Sequence, residues 1–245
     1  MRNLSLEWKE METTINVYIG YDQREDLAYQ VCRASILKHC GPETNIFKIE
    51  PIVQDWLRAK SIYTRQKDIF ASTDFSLTRF LTPYLNNYEG YAIFMDLDFV
   101  VTGNLLKEVD MSIKKDNDKA VWLVKHDYIS RVQRKMDNKI QHAYPKKNWS
   151  SFMIFDCAHP AMRTLTPEYI NQATSQDLHQ FRWINEKLVG ELPIDFNFLV
   201  GEYNKSKKLP LCLHFTLGLP FVGEIFTNDY LDVWNQYEKE YQETR

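Results

Sequence analysis

Cysteine and glycine are scarce in this sequence, which has four cysteines and eight glycines among its 245 residues. Cys32, Cys40, Cys157 and Cys212 form no C-x-x-C pair and follow no regular spacing. Protein zinc sites are usually built from closely spaced cysteine and histidine ligands, so this scatter argues against one. The cysteines are therefore predicted to be reduced thiols, as in a cytosolic protein.

Long apolar runs and an excess of one charge are also missing. No segment reaches the length of a transmembrane helix, and the N-terminus lacks the apolar stretch of a signal peptide. The chain carries 30 basic and 33 acidic side chains, a formal net charge of −3. This balance argues against binding to nucleic acid or to an anionic membrane. The sequence therefore predicts a cytoplasmic protein, with a short polar leader at residues 1–13.

The remaining composition, 44% hydrophobic and 26% charged, is that of a globular protein with a sizeable core. The length and the lack of repeats or linkers favour one α/β domain. A strand at 14–22, an amphipathic helix at 24–40 and a strand at 45–53 predict a βαβ unit, hence a mostly parallel central sheet flanked by helices. Further strands are predicted at 120–127, 149–156 and 209–216, and helices at 74–85, 176–189 and 229–241.

Two carboxylates, Asp96 and Asp98, interrupt the apolar stretch "YAIFMDLDFVV" at 91–101. Side chains at i and i+2 of a strand point to one side, so both are predicted to face one point. A buried carboxylate needs a cation or hydrogen bonds, which leaves two interpretations: a divalent metal site, or a pair held by backbone donors. His214, at the end of the strand predicted at 209–216, is the candidate third ligand. Carboxylates suit Mg²⁺, and an added imidazole favours Mn²⁺.

These motifs resemble those of nucleotide-sugar-dependent glycosyltransferases of the GT-A type, and the chain is most similar to glycosyltransferase family 8, which includes glycogenin. The resemblance runs from Ile15 to Phe221. Its segments, in the family's order, are "VYIGYD" (17–22), "SLTRFLTPYL" (76–85), "YAIFMDLDFVVTGNL" (91–105), "TSQDL" (174–178), and "LPIDFNFL" (192–199) followed by "LHFTLGLPF" (213–221). It implies a single GT-A, Rossmann-like domain over 14–245, with a nucleotide-binding half at 14–101 and an acceptor half with the C-terminal helix at 102–245.

The resemblance implies that Asp96, Asp98 and His214 hold Mn²⁺ or Mg²⁺, and that a UDP-linked sugar is transferred to a hydroxyl of a glycan or glycoconjugate. The residues implied to bind the nucleotide sugar are Ile19, Gly20, Tyr21, Asp22, Ser76, Arg79, Asp96, Leu97 and Gly218. Those implied to bind the acceptor are Ser151, Asp195 and Asn197. Gln176 and Asp177 lie at the implied reaction centre. Because a neutral amide is a poor nucleophile, Gln176 favours same-face transfer with retention over a double displacement.

Several of these residues also have a structural explanation, which the sequence leaves open. Tyr21 can simply pack in the core, and Asp22 and Asp177 can each cap the helix that they begin. Arg79 can form a surface ion pair with Asp74 instead of reaching a phosphate or the donor sugar. The sequence alone does not choose between the functional and the structural explanation at these positions.

The chain departs from the family pattern in one segment and at two positions. The segment "NWSSFMIFD" (148–156) stands where the family often has a small Asn-Ala-Gly type stretch. Ser175 stands where the family has the first Asp of an Asp-Gln-Asp stretch, and Leu219 stands where it has a lysine that contacts the pyrophosphate. The donor is therefore left open, and a non-catalytic carbohydrate-binding relic of the fold is one alternative. A sugar-1-phosphate nucleotidyltransferase is another, although "VYIGYDQRED" has one glycine and one arginine where such enzymes have a glycine-rich basic loop.

The segment 125–147 is rich in positive charge, with seven Lys and Arg side chains against two Asp. A solvated charged face is the ordinary explanation. Because the segment is long for a connection between two strands, a mobile cover over an anionic donor is the alternative. The sequence leaves homo-oligomerisation open.

Overall fold

The structure is a computed structural model, and it describes residues 15–39, 48–66, 73–127, 134–135, 139–140, 146–219 and 227–244. The predicted leader at 1–13 and most of the basic segment 125–147 lie outside the described residues, so the interpretation of that segment as a cover stays a prediction. Within the described parts of the chain, no helix combines the length and the apolar character that crossing a membrane requires.

The chain contains both strands and helices, as the sequence predicts, and begins with the predicted strand, helix and strand. The strands are β1 (Ile15–Gly20), β2 (Ile49–Ile52), β3 (Tyr91–Met95), β4 (Phe99–Val101), β5 (Val121–Leu123), β6 (Arg134–Lys135), β7 (Lys139–Ile140), β8 (Phe152–Asp156), β9 (Val189–Glu191), β10 (Phe198–Leu199) and β11 (Cys212–His214). The α-helices are α1 (Asp26–His39), α2 (Gln54–Ala59), α3 (Thr82–Leu85), α4 (Leu105–Lys115), α5 (Pro167–Gln172), α6 (Ser175–His179) and α7 (Leu231–Glu243).

A six-stranded sheet in the order β2-β1-β3-β8-β5-β9 forms the centre of the molecule. β1 is parallel to β2 and β3, and β5 is parallel to β9, whereas β8 runs antiparallel to both of its neighbours. The inner strands β3, β5 and β8 are buried almost throughout, as expected for a sheet covered on both faces. The predicted α/β fold with a mostly parallel central sheet is confirmed.

A second, smaller sheet of three strands lies beside the first, in the order β10-β11-β4. β11 is parallel to β10 and antiparallel to β4. β4 follows β3 directly along the chain, yet β3 belongs to the large sheet and β4 to the small one. The chain therefore passes from one sheet to the other at residues 96–98, and this passage positions the site described below.

The first and last helices pack against each other and support the small sheet. The hydroxyl of Ser35 in α1 accepts a hydrogen bond from the backbone N–H of Val101 in β4, at 2.9 Å. Trp234 and Tyr237 of α7 are buried, and the Tyr237 hydroxyl lies 2.7 Å from Nε2 of His39 in α1. The predicted amphipathic tail helix is confirmed, and its apolar face packs on the domain.

Two predicted helices are shorter than their sequence patterns indicate. The stretch 74–85 forms turns and the 3₁₀ helix Thr78–Leu81 before the single turn of α3. Pro83 lies in the first turn of α3, where its missing N–H costs no hydrogen bond, so it starts a helix instead of bending one. The stretch 176–189 is α-helical only within α6, because Phe181 takes a left-handed φ of 57° that a right-handed helix cannot continue.

β1 ends at Gly20, directly beneath the ring of Phe75. A Cβ atom built on Gly20 would lie 2.3 Å from Cδ2 of Phe75, well inside van der Waals contact. The Phe75 ring is buried and packs on Phe94, with 6.5 Å between the ring centroids. Glycine is needed here because an aromatic ring of the protein itself approaches the strand; the approach of a nucleotide to Gly20 stays a prediction.

Gly20→Ala is expected to lower the free energy of unfolding by about 1–3 kcal/mol, because the Phe75 ring must leave its place in the core. Gly103→Ala is the matched control, since its added Cβ would meet only the end of the Leu211 side chain, at 3.1 Å. Urea unfolding of both variants measures the difference. Equal losses in the two variants would contradict the packing explanation.

Candidate active site

The predicted continuous strand at 91–101 is wrong, because a turn at Asp96, Leu97 and Asp98 separates β3 from β4. The strand breaks here because β3 pairs within the large sheet and β4 within the small one. Leu97 is 0% exposed. The side chains of Asp96 and Asp98 have relative solvent exposures of 14% and 23%. The side chains thus still alternate, with the apolar one inside and both carboxylates at the surface of the turn.

Backbone hydrogen bonds hold this turn from two sides. The N–H of Asp96 donates to the carbonyl of Ser151 at 2.9 Å, next to the start of β8. The carbonyl of Asp98 accepts from the N–H of Phe215 at 2.9 Å. Phe215 directly follows His214, so the same hydrogen bond brings the imidazole beside the carboxylates.

His214 completes a group of three potential metal ligands. Its ring stacks on Phe99 with 4.3 Å between centroids and an interplanar angle of 17°. Its Nε2 lies 3.2 Å from Oδ1 of Asp98. One ligand atom each from Asp96, Asp98 and His214 lies within 4.8 Å of the others, so the structure confirms that the predicted ligands come together.

The donor set fits a small divalent cation. Ligand atoms at about 2.1 Å from one ion in octahedral geometry are about 3 Å apart when they are neighbours. The separation of 3.2 Å between His214 and Asp98 agrees with such a pair. Two carboxylate oxygens and one imidazole nitrogen leave further positions for water or substrate oxygens, and the mixed N and O set suits Mn²⁺ as well as Mg²⁺.

Arg79 is buried beside this turn and does not pair with Asp74 at the surface. Its Nη1 lies 2.9 Å from Oδ1 of Asp96 and donates to the carbonyl of Ser150 at 2.9 Å. The guanidinium also lies 5.1 Å from the ring centroid of Phe94. The predicted alternative of a surface ion pair with Asp74 is wrong, because Arg79 is only 6% exposed and its charge is placed against a candidate metal ligand.

His179, at the end of α6, connects that helix to Arg79 and was not singled out from the sequence. Its Nδ1 lies 2.9 Å from the hydroxyl of Ser150, and its ring meets Phe80 edge-on at 5.3 Å. The pKa of His179 is lowered from 6.5 to about 3, first by burial and then by the positive charge of Arg79, while a hydrogen bond to the backbone of Ser76 opposes both. The ring is therefore neutral at physiological pH.

The predicted reaction-centre residues lie at the start of α6. Gln176 is exposed on its first turn. Thr174 is the N-cap: its hydroxyl accepts from the N–H of Asp177, and the Asp177 carboxylate accepts from the N–H of Thr174. Arg182 also pairs with Asp177 at 3.2 Å. The capping explanation left open for Asp177 is thus observed, and its role toward an acceptor stays a prediction, as does the role of Gln176.

Tyr21 and Asp22 follow β1 at the same end of the sheet, and both have protein partners. The Tyr21 hydroxyl donates to Asp26 at 2.9 Å. Asp22 is 1% exposed, caps the 3₁₀ turn that follows, and accepts from Nε and Nη2 of Arg24 at 3.0 and 2.6 Å. Burial raises the pKa of Asp22, but the hydrogen bonds from Arg24 outweigh burial, so the pKa is lowered. Roles toward a base or ribose stay predictions.

Glu25 is a buried carboxyl group that sequence reasoning missed. It is 6% exposed, and its pKa is raised from 4.5 to about 7, first by burial and then by the negative charges of Asp98 and Asp22. In the sequence, Glu25 is marked only by its position three residues after Asp22. An ordinary helix-capping acidic residue occupies the same position. With Asp96, Glu25 completes a local concentration of carboxyl groups that favours a cation.

The remaining predicted site residues differ in solvent exposure. Ile19 and Leu97 are fully buried, Ser151 and Asn197 are buried, and Ser76 and Asp195 are half-buried. Gly218 has a φ of 130°, and its N–H donates to the carbonyl of Phe215 at 3.1 Å, so it is a turn glycine beside β11. The binding roles of all these residues stay predictions.

Comparison with known proteins identifies one relative and a common fold. Protein CDI of Arabidopsis thaliana is 38% identical over 229 residues, which cover 92% of this chain and 86% of that protein. No family model matches the chain. Two solved structures have the same fold. The bifunctional glycosyltransferase WbbM has a TM-score of 0.62 at 16% identity, and the galactosyltransferase LgtC has a TM-score of 0.57 at 11% identity.

The extent of these similarities limits what they show. The WbbM alignment covers 96% of this chain but 52% of WbbM, so the chain spans about half of that protein. The LgtC alignment covers 92% of this chain and 95% of LgtC. At these identities the comparison shows a common fold, the GT-A fold of glycosyltransferases.

His179 is expected to make the protein sensitive to acid. An unfolded imidazole takes up a proton below pH 6.5, whereas the folded one does so only near pH 3. Stability is therefore lost as the pH falls from 6.5 toward 3, on the order of 2 kcal/mol by pH 5. Urea unfolding at pH 7 and pH 5 should show a smaller loss for His179→Asn than for the original chain. A loss of the same size would show that the folded ring already takes up its proton in this range.

Proposed function

The chain belongs to the same family as Protein CDI of Arabidopsis thaliana. From the fold, the sequence motifs and the site geometry, we propose that it is a metal-dependent glycosyltransferase of family 8. In this proposal it transfers a sugar from a nucleotide diphosphate donor, UDP-linked, to a hydroxyl of a glycan or glycoconjugate. The anomeric configuration of the donor is retained. The GT-A fold supports the class of reaction, and the five motifs in family order support the assignment to family 8.

The observation that carries the proposal is the group of Asp96, Asp98 and His214, whose ligand atoms lie within 4.8 Å of one another. They lie beyond the carboxyl end of β3, the edge at which open α/β sheets bind their ligands. A bound divalent cation would supply the positive charge that a leaving diphosphate needs. The carboxylates of Asp96 and Asp98 would repel a free diphosphate, so the donor is expected to bind together with a cation.

Among the residues that the structure describes, Arg79 is well placed to assist on the donor side. Its contact with Oδ1 of Asp96 holds that carboxylate in position. The delocalised, permanent charge of its guanidinium lies next to the turn that faces the diphosphate, and it suits phosphate or sugar oxygens. Gly20, Tyr21 and Asp22 are proposed to face the base and ribose, because they end β1 beside the same turn.

α6 is proposed to carry the residues that face the reacting carbon. The helix is held to the metal side through His179, whose contact with the Ser150 hydroxyl leads to Arg79. Gln176 is exposed at the start of this helix. Its neutral amide oxygen can stabilise positive charge at the anomeric carbon but cannot form a stable glycosyl ester, which supports same-face attack by the acceptor.

The two proposed halves of the chain both contribute to the metal site. The nucleotide half, 14–101, provides Asp96 and Asp98, and the acceptor half, 102–245, provides His214. Leu219 is 2% exposed, so the position where the family has a lysine is part of the core here. This proposed enzyme therefore lacks a pyrophosphate contact, and the metal and Arg79 must provide more of the positive charge.

A donor-hydrolysis screen tests the proposal. The protein is incubated with a panel of nucleotide sugars, with and without Mn²⁺, and the released nucleotide diphosphate is measured. We expect release from a UDP-sugar that depends on Mn²⁺. Sugar binding without release from any donor would instead identify a non-catalytic relic, and pyrophosphate release from a nucleoside triphosphate with a sugar 1-phosphate would identify a nucleotidyltransferase.

Asp98→Asn is expected to lower metal-dependent UDP affinity at least tenfold, about 1.4 kcal/mol, because an amide lacks the charge that binds the cation. Isothermal titration calorimetry with and without Mn²⁺ measures this. Asp110→Asn is the matched control, since Asp110 lies on α4 in a surface pair with Lys114. Unchanged UDP affinity in a folded Asp98→Asn protein would remove the basis of the site.

Gln176→Ala is expected to lower kcat by about ten- to a thousandfold with little change in donor KM, because one electrostatic contact in the transition state is lost. Gln172→Ala, an exposed glutamine at the end of α5, is the control. Product NMR should show retention of the donor configuration. An inverted product would require a general base on the acceptor side, and Asp177 would be the first residue to test.

A further inference from the structure

The side chain of Asn197 is fully buried behind the candidate metal site and has partners on both ends of its amide. Its Nδ2 lies 3.1 Å from the carbonyl oxygen of Asn148 and 2.8 Å from the hydroxyl of Ser151. Its Oδ1 lies 2.8 Å from Nδ1 of His214. Asn197 is 0% exposed, so no water competes for these contacts.

The partners of this amide fix its orientation. A backbone carbonyl can only accept a hydrogen bond, so the atom of Asn197 that faces Asn148 must be the NH₂ group. The Ser151 hydroxyl also donates to that carbonyl, at 2.7 Å, and is therefore an acceptor toward Asn197. Both amide hydrogens are thus used, and the amide oxygen must face His214.

The amide orientation in turn fixes the proton on the imidazole. An amide oxygen can only accept, so Nδ1 of His214 must carry the hydrogen that joins them. A neutral imidazole carries one hydrogen, which leaves the lone pair on Nε2. Nε2 is the atom that lies 3.2 Å from Oδ1 of Asp98 and belongs to the metal-binding group.

Without Asn197 the alternative tautomer would compete with the metal. A hydrogen on Nε2 would point at the Asp98 carboxylate and form a hydrogen bond with it. In that state Nε2 carries a hydrogen and the Asp98 oxygen accepts it, so neither atom is available to bind a cation. An acceptor on the far side of the ring therefore favours the state that can bind an ion.

The same contacts also join His214 to Asp96. The hydroxyl of Ser151 accepts from Asn197, and the carbonyl of Ser151 accepts from the N–H of Asp96 at 2.9 Å. Asn148, whose carbonyl anchors the network, adopts a left-handed φ of 60°, a conformation that asparagine tolerates better than most residues. The Asn197 side chain thus contacts His214, and the backbone carbonyl of Ser151, whose hydroxyl bonds to Asn197, holds Asp96.

We propose that Asn197 is a positioning residue that holds His214 in the Nδ1–H tautomer and so presents the Nε2 lone pair to the metal. This inference rests on the metal site of the proposed function. It gives Asn197 and Ser151 a role behind the metal ligands, whereas the sequence resemblance places them at the acceptor.

The tautomer can be measured without metal or substrate. The ¹⁵N chemical shifts of the His214 ring, in the metal-free protein at pH 8, report which nitrogen carries hydrogen. We expect a protonated Nδ1 and an unprotonated Nε2 in the original chain, and a loss of this pattern in Asn197→Ala. Asn197→Asp keeps an acceptor toward Nδ1 and should keep the signal, although it loses both donated hydrogen bonds. Asn86→Ala removes a buried asparagine near the opposite end of the sheet, bonded to Asn16, and should change nothing.

Calorimetry with MnCl₂ alone gives the second measurement. Asn197→Ala is expected to bind Mn²⁺ at least tenfold more weakly, Asn197→Asp to retain most of the affinity, and Asn86→Ala to match the original chain. A purely structural role would weaken the Ala and Asp variants alike, because both lose the contacts to Asn148 and Ser151. Circular dichroism establishes that each variant is folded.

The two measurements separate the inference from the proposed function. An unprotonated Nδ1 in the original chain overturns the tautomer assignment, even if Mn²⁺ binds. Equal Mn²⁺ affinities in the original chain and folded Asn197→Ala overturn the positioning role. Failure of the original chain to bind Mn²⁺ overturns the proposed metal site, while the ¹⁵N spectrum still decides the tautomer on its own.

Discussion

The repulsion between Asp96 and Asp98 is the constraint on which the rest of this structure depends. Their carboxylates lie one residue apart, and each side chain is less than a quarter exposed to solvent. They would move apart if nothing held them. The turn that carries them is fixed by backbone hydrogen bonds to Ser151 and Phe215. Arg79 places a positive charge against one carboxylate, and the His214 ring lies against the other. This group of side chains therefore still attracts a cation strongly.

The position of this turn between two sheets explains how distant parts of the chain meet. β3 belongs to the large sheet and β4 to the small one, and β11 reaches the turn by pairing with β4. On one side, Arg79, Ser150 and His179 connect the turn to α6. On the other side, Ser151 and Asn197 connect it to β11. The strands on either side of the turn thus hold the candidate metal ligands in place, and the exposed start of α6 carries the residues proposed to face the reacting carbon.

The fold comparison and the site geometry support different parts of the proposed function. The GT-A fold is common to proteins of low identity, so the comparison shows the fold, and the proposed reaction rests on the site geometry. The departures at Ser175 and Leu219 lie close to the proposed site. Ser175 is the first residue of α6, and Leu219 is buried beside the turn at Gly218. Both are compatible with the fold, and in the proposed enzyme they are expected to affect donor choice and rate.

The sequence by itself determined the fold class and the three candidate ligands, because periodic apolar residues and paired carboxylates are local patterns. It also predicted that Asp96 and Asp98 share one side, although through a strand that the structure replaces with a turn. Tertiary structure alone decided that Arg79 faces Asp96, that Glu25 is buried, and that His179 and Asn197 support the site from behind. These facts depend on contacts between residues far apart in the chain, and local spacing carries no information about which distant side chain a polar group will meet.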